Sequence, residues 1–138
     1  MIRGFFRDNA GFINAYLISR LINLSEAVEF LVDTGASRTT LLDKDAIHLG
    51  IEYSKLKRFK ESLSGIGGSV ETYIIEDAWL FFNGYKLSLP VLVVRHPLEE
   101  MSWEERIKVL RIPSVLGRDV IAGFRLIFDK ARGGLFLE

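Results

Sequence analysis

The side chains of this chain best equipped for chemistry are carboxylates, and one of them, Asp33, opens the segment Asp33-Thr34-Gly35-Ala36-Ser37 directly after the apolar run Phe30-Leu31-Val32. A carboxylate at the end of a buried strand needs donors, and Thr34, Gly35 and nearby backbone amides can supply them. So held, it can serve as a general acid or base, although Asp-Thr-Gly is also ordinary turn composition. Other catalytic solutions lack their parts. The 138 residues contain no cysteine, which excludes thiolate nucleophiles, thiolate zinc sites and disulfides. His48 and His96 are not in a His-Glu-x-x-His arrangement and are expected to be structural. The cluster Gly65-Ile66-Gly67-Gly68 lacks the third glycine of a dinucleotide fingerprint. Neither a Gly-Lys-Ser/Thr phosphate loop nor a Gly-x-Ser-x-Gly elbow is present. The composition therefore implies no cofactor and no metal.

The elements that must position Asp33 read mostly as short strands. Gly11 to Leu17 and Ala27 to Val32 are rich in aromatic and branched residues and flank a polar turn at Asn23 to Glu26, which predicts an antiparallel hairpin. Thr40 to Leu49 reads as a short helix stopped by Gly50. The glycine cluster separates Phe59 to Leu63 from Val70 to Ile75, two stretches able to pair around a glycine-rich tip. Asn83-Gly84 then joins Ala78 to Phe82 to Lys86 to Val94, the strongest hairpin signal in the chain. Between Pro97 and Pro113 apolar residues are spread among Glu and Arg at helical spacing, as in an amphipathic insert. Ser114 to Leu116 resumes as a buried strand, Gly117-Arg118-Asp119 turns it, Val120 to Phe124 reads as a helical turn, and Arg125 to Asp129 with Leu135 to Leu137 supply the last strands.

Three of these segments, in this order, resemble the landmarks of the retropepsins, the single-lobed, retroviral-type aspartic proteases. Phe30-Leu-Val-Asp-Thr-Gly-Ala-Ser37 is similar to the active-site signature, Leu63-Ser-Gly-Ile-Gly-Gly-Ser69 to the glycine-rich flap, and Ser114-Val-Leu-Gly-Arg-Asp-Val-Ile121 to the strand and helical turn near the C-terminus. The resemblance implies an all-β, mainly antiparallel, closed-barrel-like lobe with one or two short helices and a helical insert near 98–111. It also implies an aspartic endopeptidase. The mechanism needs two carboxylates sharing a proton, and one Asp-Thr-Gly is present, so a homodimer is expected, with Asp33 contributed by each subunit. By the same resemblance Thr34 and Gly35 support the catalytic loop. Gly65, Ile66 and Gly67 would close over a peptide or protein substrate, and Leu31, Ala36, Arg38, Thr40, Pro113 and Val115 would line its side-chain pockets. Gly117 and Arg118 would be structural. Two departures stand out: Ser37 replaces an acid that commonly pairs with the later arginine, leaving Asp119 or a carbonyl to take Arg118, and Arg38 stands where some viral members carry an acid.

Two other functions stay open on sequence alone. One is a non-proteolytic peptide-binding or dimerisation module on the same fold. The other is a different carboxylate-dependent hydrolase, for which Asp119 is the only second acid to nominate near Asp33. Eighteen basic against eighteen acidic residues, and a pI near 6.8, give no broad attraction to nucleic acid or anionic membranes. With no repeat, linker, signal peptide or membrane-length apolar run, the expectation is one cytoplasmic domain spanning residues 1–138.

Overall fold

The computed structural model describes residues 1–59 and 70–138. The chain begins with two short strands that its composition does not announce, β1 (Ile2–Arg3) and β2 (Phe5–Arg7). The hairpin follows as β3 (Ala10–Ser19) and β4 (Leu24–Val32), paired antiparallel from Phe12 opposite Leu31 to Ser19 opposite Leu24. Its turn is Arg20 to Asn23, closed by Asn23 N–H donating to Arg20 O, so β4 starts earlier than composition suggested. Along β3 the side chains of Ile13, Ala15 and Leu17 are buried while Asn14 and Tyr16 face outward, the period-two pattern of a sheet with one face in the core.

The segment read as one helix divides. Thr40–Leu41 forms β5, parallel to part of β10 (Val91–Arg95), and only Asp43–Leu49 is helical, as α1. Gly50 ends α1 in the left-handed region at φ 65°. A 3₁₀ turn at Tyr53–Lys55 leads to β6 (Lys57–Arg58), which pairs antiparallel with β7 (Glu71–Ile75). Phe59 N–H donates to Thr72 O, so the strand pairing foreseen there exists where it is described; the remainder of Phe59 to Leu63 lies outside the described residues. Asn83-Gly84 joins β8 (Trp79–Phe82) to β9 (Tyr85–Ser88), with Gly84 at φ 86°. Lys86 to Val94 is two strands rather than one. The break falls at Leu89-Pro90, where proline has no N–H to continue a ladder, and β10 leaves to pair with β7 and β5.

The insert contains a 3₁₀ turn at Leu98–Glu100 and α2 (Trp103–Leu110), capped by Ser102 Oγ accepting from Glu105 N–H and packed on α1. Then come β11 (Val115–Leu116), α3 (Arg118–Ile121), β12 (Leu126–Asp129) and β13 (Gly134–Leu137). The fold is all-β with short helices. One sheet runs β6-β7-β10-β5-β11-β4-β3-β8-β9, with β2 on β3, and a smaller one runs β1-β13-β12. Among the described residues the long sheet has two free ends, so it is not closed into the barrel-like form expected. Phe30, Ile13, Leu17, Leu41, Ile75, Leu80 and Leu116 are fully buried in one hydrophobic core. Among the described residues no helix is long and apolar enough to cross a membrane.

Candidate active site

Asp33 follows the last residue of β4, at the middle of the long sheet, where β11 lies alongside in parallel. Leu31 N–H donates to Ser114 O at 2.8 Å and Asp33 N–H to Leu116 O at 3.1 Å, so the strand is clamped up to the carboxylate itself. Beyond it the chain turns sharply. Ala36 N–H donates to Asp33 O at 3.1 Å, and Gly35 N–H donates to Asp33 Oδ1 at 2.9 Å. A β-carbon on Gly35 would lie 3.2 Å from that oxygen, so glycine leaves the carboxylate room. Among the described residues no donor reaches Asp33 Oδ2, and Thr34 and Gly35 are exposed. Among the described residues the half-buried carboxylate is thus held through one oxygen only.

The segment after Asp33 is tied down from eighty residues away. Gly117 packs so closely on the backbone of Arg38 that a β-carbon would sit 2.5 Å from the Arg38 carbonyl carbon. Arg118 N–H donates to Ala36 O at 2.8 Å and its Nη1 donates to Thr34 O at 2.9 Å, so a carbonyl takes the arginine that has no acid at Ser37. Asp119 turns elsewhere. It accepts from Thr39 N–H at 3.0 Å and from Thr39 Oγ1 at 2.8 Å, while Thr39 Oγ1 in turn accepts from Gly117 N–H at 3.1 Å. Asp119 is therefore a clamp on the loop, which argues against its use as a second reacting acid. Sequence reasoning missed buried Thr39; the only hint was its place in the Thr39-Thr40 run just after the signature.

The residues expected to line pockets fall into two groups. Ala36, Arg38 and Thr40 share a cleft of about 240 Å³ with Gly35, Ser37, Phe59 and Leu92. Leu31 and Val115 are register partners on β4 and β11, half-buried, with half-buried Pro113 just before, and they do not line that cleft. Gly65, Ile66 and Gly67 lie outside the described residues.

The histidines stand apart from Asp33. His48 is exposed in the last turn of α1, whereas His96 is buried, its N–H donating to Asp43 Oδ1 at 2.9 Å and its Nδ1 bonded to Asp43 Oδ2 at 2.5 Å. That pair joins α1 to the end of β10. Among the described residues no three His, Cys, Asp or Glu side chains converge as a metal site.

A family sequence model described as aspartyl protease matches residues 21–120. Among solved structures, a retropepsin-like aspartic protease from Rickettsia conorii is similar at 25% identity and a TM-score of 0.60, covering 99% of this chain and 88% of that one. The EIAV protease in complex with an inhibitor is similar at 21% identity and a TM-score of 0.49, covering 83% of this chain and 91% of that one. No curated protein sequence matches.

Proposed function

Because the chain belongs to the aspartyl protease family, we propose that it is an endopeptidase whose active site is completed by a second copy of itself, each subunit contributing Asp33. The observation that carries this reading is a carboxylate held through one oxygen at the end of β4. Half-buried Asp33 is held through Oδ1 by Gly35 N–H beside exposed Thr34 and Gly35, and among the described residues no second acid bonds to it to share a proton. One Asp-Thr-Gly per chain is half of the machinery that the chemistry requires.

Two carboxylates brought together across a two-fold axis cannot both ionise, so one holds the proton that the other lacks. The ionised carboxylate takes a proton from water as the water oxygen bonds to the scissile carbonyl carbon. The protonated one delivers its proton to the carbonyl oxygen, giving a neutral tetrahedral diol. The first carboxylate then passes its new proton to the amide nitrogen while the second takes one from a diol hydroxyl, the C–N bond breaks, and an acid and an amine leave with the shared proton restored. Thr34 is proposed to bond across the axis to the partner loop, and Gly35 to let the substrate backbone approach and offer it a carbonyl. An extended peptide lies as an added strand, under a cover proposed to be the segment with Gly65, Ile66 and Gly67, whose flanking strands β6 and β7 are paired. Leu31, Ala36, Arg38, Thr40, Pro113 and Val115 are the proposed pocket walls, and Gly117 and Arg118 the support beneath.

The test is peptide cleavage from acidic to neutral pH by the wild type and Asp33→Asn, with dimerisation followed by sedimentation. Cleavage by the wild type alone, with activity per chain rising as the dimer forms, is expected. Cleavage by Asp33→Asn overturns the mechanism. A stable dimer that cleaves nothing overturns the endopeptidase reading in favour of peptide binding alone.

A further inference from the structure

We infer that Arg38 makes the cleft beside Asp33 selective for substrates that carry an acidic side chain; the inference rests on the endopeptidase reading and assigns its substrate class. Among the described residues the cleft of about 240 Å³ is walled by Gly35, Ala36, Ser37, Thr40, Phe59 and Leu92, and Arg38 is the one charged residue on it. It opens next to the reacting carboxylate, because Gly35, which lines it, is the residue whose N–H holds Asp33 Oδ1 at 2.9 Å.

The guanidinium is positioned and, among the described residues, not neutralised. Its carbon lies 5.1 Å from the centre of the Phe59 ring, and among the described residues no carboxylate pairs with it. Stacking on an aromatic face restrains a guanidinium while leaving its N–H edge free, and that edge matches a carboxylate with two parallel hydrogen bonds. Its backbone is equally fixed. Thr40 Oγ1 donates to Arg38 O at 3.0 Å, the next residue Thr39 is gripped by Asp119, and Gly117 presses on the Arg38 backbone. Among the described residues, a peptide side chain entering this cleft meets the apolar surfaces of Ala36, Phe59 and Leu92, the hydroxyl residues Ser37 and Thr40, and one cation without a carboxylate partner. A glutamate satisfies these, a glutamine offers a weaker acceptor, and a lysine is repelled.

The test uses peptides identical except for Glu, Gln or Lys at each position in turn around the scissile bond, cleaved by the wild type, Arg38→Ala and Arg38→Glu. At one position the wild type is expected to show kcat/KM about fivefold to tenfold higher for Glu than for Gln, a ratio that declines as salt is raised. Arg38→Ala brings that ratio to about one, and Arg38→Glu shifts preference to Lys. Equal wild-type cleavage of Glu and Gln peptides at every position, or a Glu preference that survives in Arg38→Ala, overturns the inference while leaving the endopeptidase reading intact. Binding of the same peptides to Asp33→Asn separates the two ideas. Selective binding of Glu peptides without cleavage by the wild type refutes the endopeptidase reading and supports the cleft's selectivity; neither cleavage nor selective binding refutes both.

Discussion

Gly117→Ala tests how the Asp33 loop is held. The added β-carbon would lie 2.5 Å from the Arg38 carbonyl carbon and 2.8 Å from both its nitrogen and its oxygen. Non-bonded carbons rest about 3.5–4.0 Å apart, so the two backbones must separate by about 1 Å. All three atoms belong to the main chain, so no side chain can swing aside. Gly117 is itself restrained, since its N–H donates to Thr39 Oγ1 and its neighbours bond Asp33 N–H and Ala36 O. Overpacking of this kind costs about 2–3 kcal/mol. In a single domain of this size that lowers Tm by roughly 5–10 °C and the urea midpoint by about 1 M. Displacing the loop by about 1 Å also misplaces Asp33, with a loss in kcat of about 10²-fold. The comparison variant is Gly123→Ala, whose β-carbon would meet Val120 O at 3.5 Å, an ordinary contact, and whose effect should stay within about 0.5 kcal/mol. Urea unfolding followed by fluorescence, with peptide cleavage at low denaturant, reads both. If Gly117→Ala unfolds at the wild-type midpoint, or if Gly123→Ala loses as much, the close approach at Gly117 is not what holds the loop.

Two further substitutions probe supports of the sheet. Asp119→Ala removes the acceptor of the fully buried Thr39 N–H and hydroxyl and should cost about 2 kcal/mol, with Asp119→Asn costing less because one oxygen remains; equal midpoints for the two variants in urea would contradict the clamp. Asp77 is pushed upward by burial, but hydrogen bonds from Ser19 Oγ at 2.6 Å and Leu21 N–H at 3.0 Å outweigh it and hold the carboxyl below its ordinary value. A lowered folded-state value means stabilisation that is present above the ordinary value of 3.8 and lost as pH falls through the folded one. Asp77→Asn should therefore unfold at lower urea than the wild type at neutral pH, by about 1 kcal/mol, and the gap should narrow in acid; a gap constant with pH would refute this.

What could be read from the chain was what local pattern encodes. The β3–β4 hairpin is visible because Gly11 to Leu17 and Ala27 to Val32 are rich in aromatic and branched residues around a polar turn, and Asp33 is visible because it terminates an apolar run. The Gly50 stop and the Asn83-Gly84 hairpin are likewise properties of a few adjacent residues. The errors share a different cause. Thr40–Leu41 is a strand only because Leu92–Val93 and Val115 lie beside it, partners fifty and seventy-five positions away. The two N-terminal strands exist through Leu137 and Phe12. In the site, the signature named Asp33, Thr34 and Gly35, but Phe59 and Leu92 joined Arg38 through tertiary contact alone, and nothing near Thr39 in sequence announces its grip by Asp119.

The parallel pairing of β11 with β4 carries a consequence for the order of events in folding. Asp33 N–H is bonded to Leu116 O, and the loop after it is fastened by Gly117, Arg118 and Asp119, so the surroundings of the aspartate span a separation of more than eighty residues. Contacts of that range form late, because the chain between them must first be ordered. The β3–β4 hairpin can assemble early and still carry an inert carboxylate at its tip. On the proposed endopeptidase reading, a nascent or partly unfolded copy has no competent site with which to attack its neighbours until the last third of the chain has been fastened to the first.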